Sequence, residues 1–190
     1  MTEAKQQALS TWKWTLDRYH QAVEAGVFEG APVELLHGEL VERSPEGVPH
    51  AGLNDRSSRY LQRFLGEWAI VRVGHPITLP NRSEPEPDLA IAEPLEDVYI
   101  DEHHPYPENI FWIIEYSSSS LNKDLEVKSK VYAEAGIREY WVINLKTREL
   151  NVFRNLVNGQ YQRQVVLTDG VISPLAFPNV QIDAARLLRR

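Results

Sequence analysis

The segment from residue 111 to residue 143 constrains the fold of this chain more than any other stretch. It reads FWIIEYSSSSLNKDLEVKSKVYAEAGIREYWVI, so two short apolar runs enclose a polar stretch with helical spacing. The first run ends at Glu115, and Gly136 precedes the second run at 140–143. Short apolar runs predict buried strands, and strands joined by a helix are almost always parallel with a right-handed crossover. The segment therefore predicts a parallel strand pair with a helix packed against it.

The rest of the chain predicts further strands around this unit and helices before and after it. Helical spacing of apolar residues predicts helices at 15–26, 50–68 and 183–190. The sequence VELLHGELVE at 33–42 predicts a hairpin with a two-residue turn at His37-Gly38. Further strands are predicted at 69–73, 77–79, 89–92, 149–154 and 161–167, with a long acidic loop at 93–109 and a loose polar tail at 1–10.

Together these elements predict a mixed sheet flanked by helices, in the α/β or α+β class. One connection is a parallel crossover, whereas the other strands are joined by short turns and should be antiparallel. A chain of 190 residues is long enough to bury a sizeable core. We therefore expect a single domain over 1–190, with an N-terminal helix and a β-hairpin before the sheet.

The charge and composition of the chain limit the kinds of function it can have. Its net charge is −7, whereas general nucleic-acid binders usually carry a basic field. A nucleic-acid enzyme of this composition needs a local basic patch or a bridging cation. The chain has no cysteine, no apolar run of the ~20 residues that cross a bilayer, and no signal-peptide pattern. These features predict a cytoplasmic protein without membrane association.

Two carboxylates stand at the boundaries of predicted buried strands. Asp88 follows Pro87 and directly precedes the apolar run at 89–92, whereas Glu115 closes the run at 111–114. An unpaired charge in apolar surroundings is costly, so each acid needs a partner. Mg²⁺ commonly takes one or two carboxylates together with water and substrate oxygens. Asp88 and Glu115 are therefore candidate ligands for Mg²⁺ or Mn²⁺. The alternative is an ordinary ion pair of each acid with a Lys or Arg.

The predicted helix after Glu115 carries a candidate catalytic lysine. Asp124, Lys128 and Tyr132 are spaced four residues apart and share one helical face. A lysine near two metal-bound carboxylates can orient the attacking water or stabilise charge on a phosphate, which makes Lys128 a candidate. An ordinary surface pair between Asp124 and Lys128 is the alternative, and Tyr132 is expected to pack rather than react.

Weaker candidates lie elsewhere in the sequence. Glu39 is a candidate additional acid, and His50, at the start of a predicted helix, is a candidate phosphate contact or helix cap. The serines at 117–120 lack the G-x-S-x-G context of a nucleophile. We expect them to begin the following helix, with Ser120 or Asn122 capping its free N–H groups.

The candidate residues form a combined pattern that is more specific than any of its parts. It consists of PD at 87–88, EYS at 115–117, D-x-x-x-K-x-x-x-Y at 124–132 and G-x-x-E-Y-W at 136–141, together with ELLHGELV at 34–41, SP at 44–45 and His50. This pattern, which spans most of the chain, resembles the Uma-type family of predicted restriction endonucleases, within the PD-(D/E)XK nuclease superfamily.

The resemblance implies a restriction-endonuclease-like core and a divalent-metal site. It implies that Asp88 and Glu115 are metal ligands. In the superfamily's usual motif, the lysine lies two residues after the acid on the same strand, where this chain has Ser117. Lys128 on the following helix is then expected to supply the lysine, as in the pattern of this family.

The candidate site is compatible with three functions. The first is a Mg²⁺- or Mn²⁺-dependent DNA endonuclease in which Asp88 and Glu115 hold the metal and Lys128 assists the water or the phosphate. The second is a catalytically inactive interaction module that keeps the nuclease fold. A homodimer is one form that such a module can take. The third is hydrolysis of a small phosphate ester or nucleotide. The retained acids and lysine favour the first function, whereas the acidic composition favours the other two.

Overall fold

The structure, a computed structural model, describes residues 11–188, which form both helices and strands. The helices are α1 (Leu16–Glu24), α2 (Val48–Leu65), α3 (Glu96–Asp101), α4 (Ser129–Glu134) and α5 (Ala184–Leu188), and a π-helical segment, Lys123–Lys128, leads into α4. The strands are β1 (Val33–Leu36), β2 (Glu39–Glu42), β3 (Ile70–Val73), β4 (Leu89–Ala92), β5 (Ile110–Ser117), β6 (Tyr140–Asn144), β7 (Glu149–Val157), β8 (Gln160–Leu167), β9 (Val171–Ile172) and β10 (Ile182–Asp183). The tail predicted at 1–10 and the end of the helix predicted at 183–190 lie outside the described residues. None of the described helices is long and apolar enough to cross a membrane.

A six-stranded mixed sheet forms the centre of the fold, in the order β3-β4-β5-β6-β7-β8. β5 and β6 pair in parallel, with Ile113 opposite Tyr140 and Ser117 opposite Asn144. Every other neighbouring pair in this sheet is antiparallel. Between β5 and β6 the chain passes through the π-helical segment and α4, so the predicted strand–helix–strand unit and the predicted mixed sheet are confirmed.

Alternating side chains of β5 separate two apolar cores on the two faces of the sheet. Trp112, Ile114 and Tyr116 pack in one core with apolar residues of α2 and α5. Ile113 packs in the other core with apolar residues of α4. Because successive side chains of a strand point to opposite faces, Glu115 lies on the α4 face with Ile113.

The predicted hairpin brings β1 close to the start of β4. Its turn residues His37 and Gly38 have φ of +49° and +76°, as a two-residue turn of type I′ requires. Leu35 in β1 and Glu84 exchange backbone hydrogen bonds of 3.4 and 2.7 Å. The hairpin is thereby fixed beside the segment that leads into β4, and β1 carries the buried Glu34.

The segment at 77–79 does not form the predicted strand. Pro76 and Pro80 flank it, and a proline has no N–H to donate to a sheet ladder. Only a single bridge joins Leu79 to Ser83 within this turn. The apolar side chains are nevertheless buried, which explains why their pattern resembles that of a strand.

The acidic segment at 93–109 is not a loop throughout, as the sequence predicted. It contains α3 and a short 3₁₀ turn at Pro107–Asn109. Glu96 and Asp97 lie in the first turn of α3, where negative charge favours the positive end of the helix dipole. The helix has only 6 residues, too few for a clear periodic signal in the sequence.

Candidate active site

A cavity of about 660 Å³ opens where β5 ends and β4 begins. Its other walls are the start of α2, the π-helical segment and the turn between β6 and β7. The carboxylates that line it belong to Glu34, Glu46, Glu86, Asp88, Glu115 and Asp124. The cationic or titratable basic side chains are Arg43, His50, Lys123, Lys128, Lys146 and Arg148. The predicted residues Asp88, Glu115, Lys128 and His50 therefore share one cavity.

Asp88 and Glu115 lie side by side on neighbouring strands. Leu89 is opposite Ile114 in the antiparallel register, and the next position along brings Asp88 opposite Glu115. The Asp88 N–H donates to Glu115 Oε2 at 3.4 Å, and the Tyr116 N–H donates to Asp88 Oδ2 at 2.6 Å. Two acids that are far apart in the sequence thus lie next to each other where β4 begins and β5 ends.

Lys128 lies against Glu115 in the interior of the protein, with only 4% of its surface exposed. Its Nζ is 2.9 Å from Glu115 Oε1 and 3.1 Å from Glu34 Oε2. No ion pair joins it to Asp88 within residues 11–188. Tyr132 packs against the aromatic core as predicted, and its hydroxyl also donates to Glu115 Oε1 at 2.8 Å. We call Glu34, Asp88, Glu115 and Lys128 the acid–lysine cluster.

Ser117 and Ser120 bind a carboxylate instead of capping a helix. Both hydroxyls donate to Asp124 Oδ2, at 2.6 and 2.7 Å. Neither Ser120 nor Asn122 caps the helix with its side chain, so that part of the sequence prediction is wrong. Ser117, at the position of the lysine in the superfamily's usual motif, anchors the helical segment that carries Lys128.

His50 contacts two acids at the start of α2. Its Nε2 lies 3.0 Å from Asp88 Oδ2, and its Nδ1 lies 3.4 Å from Glu46 Oε2. Burial lowers the pKa of His50, but the hydrogen bond and charge of Asp88 outweigh burial and raise it to about 9. The imidazole is therefore positively charged at neutral pH, and it neutralises Asp88 rather than capping the helix.

Glu39, the additional acid considered from the sequence, is outside the cluster. It is exposed in β2 and pairs with Lys13 at 2.5 Å. The additional acid is Glu34, whose side chain is fully buried and contacts Lys128 and Lys123, each at 3.1 Å. The sequence carries no clear signal for Glu34, because Glu34, Glu39 and Glu42 all stand next to apolar residues of the same hairpin.

Comparison with known families identifies the group to which this arrangement belongs. The model of the Uma2 family, described as "Putative restriction endonuclease", matches residues 16–185. The chain belongs to the Uma2 family. The match includes the whole acid–lysine cluster, and it confirms the resemblance that the sequence pattern indicated.

A solved structure shares the fold of this Uma2-family chain. It is the crystal structure of a protein from Anabaena variabilis described as "a putative nuclease belonging to DUF820", with a TM-score of 0.68. The two are 13% identical over 83% of this chain and 90% of that chain. At this identity the likeness shows a common fold. No curated protein matches the sequence.

In this Uma2-family chain, burial and the charges of neighbouring residues shift pKa values in the acid–lysine cluster. Burial raises the pKa of Glu115 to about 8, with Lys128 opposing the shift and Asp88 adding to it. Burial disfavours the charge of Lys128, but the neighbouring Glu115 and Glu34 outweigh it and raise its pKa. Burial also acts to raise the pKa of Glu34, yet Lys128 and Lys123 hold it below its ordinary value. Lys128 is therefore positively charged at neutral pH, and its charge offsets only part of the effect of burial on the pKa of Glu115.

The oxygen atoms of the acid pair fit a hard divalent cation. Lys128 and Tyr132 occupy Glu115 Oε1, whereas Oε2 receives only the long hydrogen bond from Asp88 among the described residues. Glu46, His50 and Asp88 also bring potential ligand atoms within 4.8 Å of one another, but His50 must first lose a proton to bind a metal. Carboxylate oxygens are the donors that Mg²⁺ prefers, so the residues present suit Mg²⁺ or Mn²⁺.

Proposed function

We propose that this Uma2-family protein is an endonuclease that hydrolyses DNA phosphodiester bonds with Mg²⁺ or Mn²⁺ held by Asp88 and Glu115. The observation that carries the proposal is the contact of two buried acids beside a buried lysine, in a chain of this family. A divalent cation at such a site supplies Lewis acidity and lowers the pKa of bound water.

Lys128 and Tyr132 hold Glu115 in one orientation. Both donate to Oε1, so the side chain cannot rotate without breaking two buried hydrogen bonds. Because the pKa of Lys128 is raised, its ammonium does not act as a base. We assign it the role of donor to the attacking water or to a phosphate oxygen.

His50 and the Tyr116 N–H hold Asp88 in the same way. The positive imidazole lies 3.0 Å from Asp88 Oδ2 and lines the cavity. A cation at this position also suits a phosphate oxygen, so a phosphate contact by His50 is part of the proposal. A cytoplasmic location and a homodimer stay predictions from the sequence.

A small phosphate ester or nucleotide is the second candidate substrate. The cavity volume of about 660 Å³ lies within the range of about 300–1,000 Å³ that is typical of small-molecule sites. The same acid pair and lysine would serve this reaction. An inactive interaction module is the remaining alternative, because Lys128 and His50 already neutralise part of the acidic charge.

Cleavage assays with a matched control test the proposal. Supercoiled plasmid, single-stranded DNA and a small model phosphodiester are incubated with wild type, Asp88→Asn and Asp97→Asn in Mn²⁺ or Mg²⁺. Asp97 is an exposed acid of α3 that does not line the cavity, so its substitution removes the same charge elsewhere. We expect plasmid cleavage by wild type and Asp97→Asn, and a loss of about 100-fold or more in Asp88→Asn, since even an outer-shell partner is worth 10–100-fold.

Comparing the three substrates, with and without the chelator EDTA, separates the DNA endonuclease from the small-ester hydrolase and the inactive module. Equal rates for Asp88→Asn and wild type would remove Asp88 from the reaction. Hydrolysis of the small phosphodiester alone would favour the second candidate. Metal binding without hydrolysis of any substrate would favour the inactive module, and cleavage that persists in EDTA would contradict metal dependence.

A further inference from the structure

The turn between β6 and β7, residues 145–148, brings two cations to the rim of the cavity. Lys146 and Arg148 both line the cavity that contains Asp88 and Glu115, and both are exposed. Within residues 11–188, neither side chain makes an ion pair. They are therefore available to an anion that enters the cavity.

The other cations of the cavity are already neutralised. Lys128 pairs with Glu34 and Glu115, and Lys123 pairs with Glu34. Arg43 pairs with Glu86, and the positive imidazole of His50 pairs with Asp88 and Glu46, in the same way. A polyanion that approaches this acidic cavity meets repulsion from its carboxylates. Among the described residues that line the cavity, Lys146 and Arg148 carry positive charge without an acidic partner.

Hydrogen bonds hold the turn in one conformation. The Oδ1 of the buried Asn144 accepts the N–H groups of Lys146 and Thr147 at 3.0 and 3.3 Å. The Asn144 carbonyl accepts the Arg148 N–H at 2.8 Å, and the Leu145 N–H donates to the Ser117 carbonyl at 2.9 Å. The turn is thus fixed directly to the strand that carries Glu115.

The backbone at Arg148 is in the left-handed region, with φ of +60°. Glycine or asparagine would adopt this conformation at lower energy than arginine. Thr147 Oγ1 donates to Glu149 Oε2 at 2.6 Å, which gives the nearest acid of the turn a partner other than the two cations. The turn therefore has an arginine at a position with an unfavourable backbone conformation. The neighbouring acid, Glu149, is bonded to Thr147 and not to this arginine.

We propose that Lys146 and Arg148 bind the phosphate groups of a DNA strand beside the bond that is cleaved. This inference rests on the proposed function and names the residues that hold its substrate. Phosphate contacts dominate nucleic-acid affinity, and an arginine can bind a phosphate through two parallel hydrogen bonds. A fixed turn whose two cations have no acidic partner among residues 11–188 offers such contacts, in a chain whose net charge of −7 otherwise repels DNA.

Salt-dependent DNA binding tests this inference. Anisotropy of a short fluorescent duplex is measured in Ca²⁺ over a range of NaCl concentrations, for wild type and for Lys146→Gln/Arg148→Gln. Each lost phosphate contact reduces the slope of log K against log salt by about 0.9 for duplex DNA, so we expect the slope to fall by about 1.8. The same slope predicts weaker binding by on the order of 50-fold near 0.1 M salt and little change near 1 M.

Two further variants separate charge from turn geometry. Lys130→Gln/Arg163→Gln removes the same charge from exposed residues that do not line the cavity, and it should bind as wild type does. Arg148→Gly removes the cation but suits the left-handed backbone, so its melting temperature should stay equal or rise while binding weakens. Arg148→Lys keeps the positive charge, so its slope of log K against log salt should stay close to that of wild type.

The outcomes distinguish this inference from the proposed function. Unchanged slope and affinity in the double variant would overturn the inference, and so would equal losses in the Lys130/Arg163 control. Wild type that binds no duplex at any salt would also overturn it. If wild type cleaves plasmid but Lys146→Gln/Arg148→Gln binds DNA as wild type does, the inference about the turn is refuted and the proposed function stands. Turn-dependent binding without any cleavage would refute the proposed function and leave the turn as a phosphate-binding site.

Discussion

Replacing Lys128 with methionine should destabilise the protein strongly in the absence of metal. Methionine has a similar length, so packing changes little while the ammonium is lost. Glu34 and Glu115, which are 0% and 4% exposed, then lose the cation that contacts both of them. Removing one partner of a buried ion pair typically costs about 3–5 kcal/mol, because the remaining charge is uncompensated.

Glu34 sets the magnitude of this effect. Lys128 and Lys123 now hold its pKa below the ordinary 4.5. Without Lys128, the simplest escape is proton uptake, which at pH 7 costs about 3 kcal/mol for a group of pKa 4.5, at about 1.4 kcal/mol per pH unit. Glu115 adds less, because its pKa is already raised to about 8 in the presence of the lysine. We therefore expect a loss of about 3 kcal/mol at pH 7.

The pH dependence of the loss has a definite sign. In the variant, the folded-state pKa of Glu34 lies above its unfolded value. Its contribution therefore destabilises the fold as pH rises above about 4.5 and vanishes below that value. The difference between variant and wild type should shrink on acidification from pH 7 toward pH 4.5.

Urea unfolding in EDTA, followed by tryptophan fluorescence, measures the effect. The buried Trp112 and Trp141 lie in the core on the other face of the sheet and report on global unfolding. Lys123→Met is the matched control: Lys123 also lies 3.1 Å from Glu34, but 23% of its side chain is exposed. Solvent screens this partly exposed lysine, and of the two buried acids it pairs only with Glu34, so this variant should lose clearly less than Lys128→Met. A loss in Lys128→Met below about 1 kcal/mol, or equal to that in Lys123→Met, would refute the reasoning.

Two further predictions concern the frame around the site. Gly38→Ala should cost at least about 2 kcal/mol by thermal unfolding, because a Cβ there would lie 2.8 Å from the Trp14 carbonyl oxygen at φ of +76°. Gly74→Ala, at φ of +60° with open space around it, should cost only about 1 kcal/mol, and equal effects would contradict the steric argument. Glu139→Leu should cost about 3–5 kcal/mol, because the fully buried Glu139 accepts from Arg154 and its loss leaves that cation unpaired; a near-neutral result in urea unfolding would show that the pair is replaceable.

The sequence predicted the elements that depend on local periodicity. The strands carrying Glu115 and the second apolar run, the crossover between them and the helix at 50–68 all follow from short-range patterns. Asp88 and Glu115 were each placed at a strand boundary because they adjoin apolar runs, and the family resemblance implied that they act together. The strands and the positions of the two acids can both be predicted from the pattern of apolar runs and the charged residues beside them.

The sequence could not predict which acid completes the cluster. Glu34 and Glu39 lie on the two strands of one hairpin, and only packing of β1 against the segment before β4 makes Glu34 the buried one. The π-helical segment was also not foreseen, although Asp124 and Lys128 still face the site. Tyr132 looked like a core residue and is one, but its hydrogen bond to Glu115 depends on the strand beneath it. These features are decided by tertiary contacts, which spacing does not encode.

Calorimetric titration of Mn²⁺ tests the central claim that Asp88 and Glu115 hold a divalent cation. Metal-free wild type, Asp88→Asn and the control Asp97→Asn are compared at one pH and ionic strength. We predict binding by wild type and Asp97→Asn with equal affinity, and binding at least about 10-fold weaker in Asp88→Asn. Equal Mn²⁺ affinity in Asp88→Asn and wild type, or no binding by wild type, would contradict the claim.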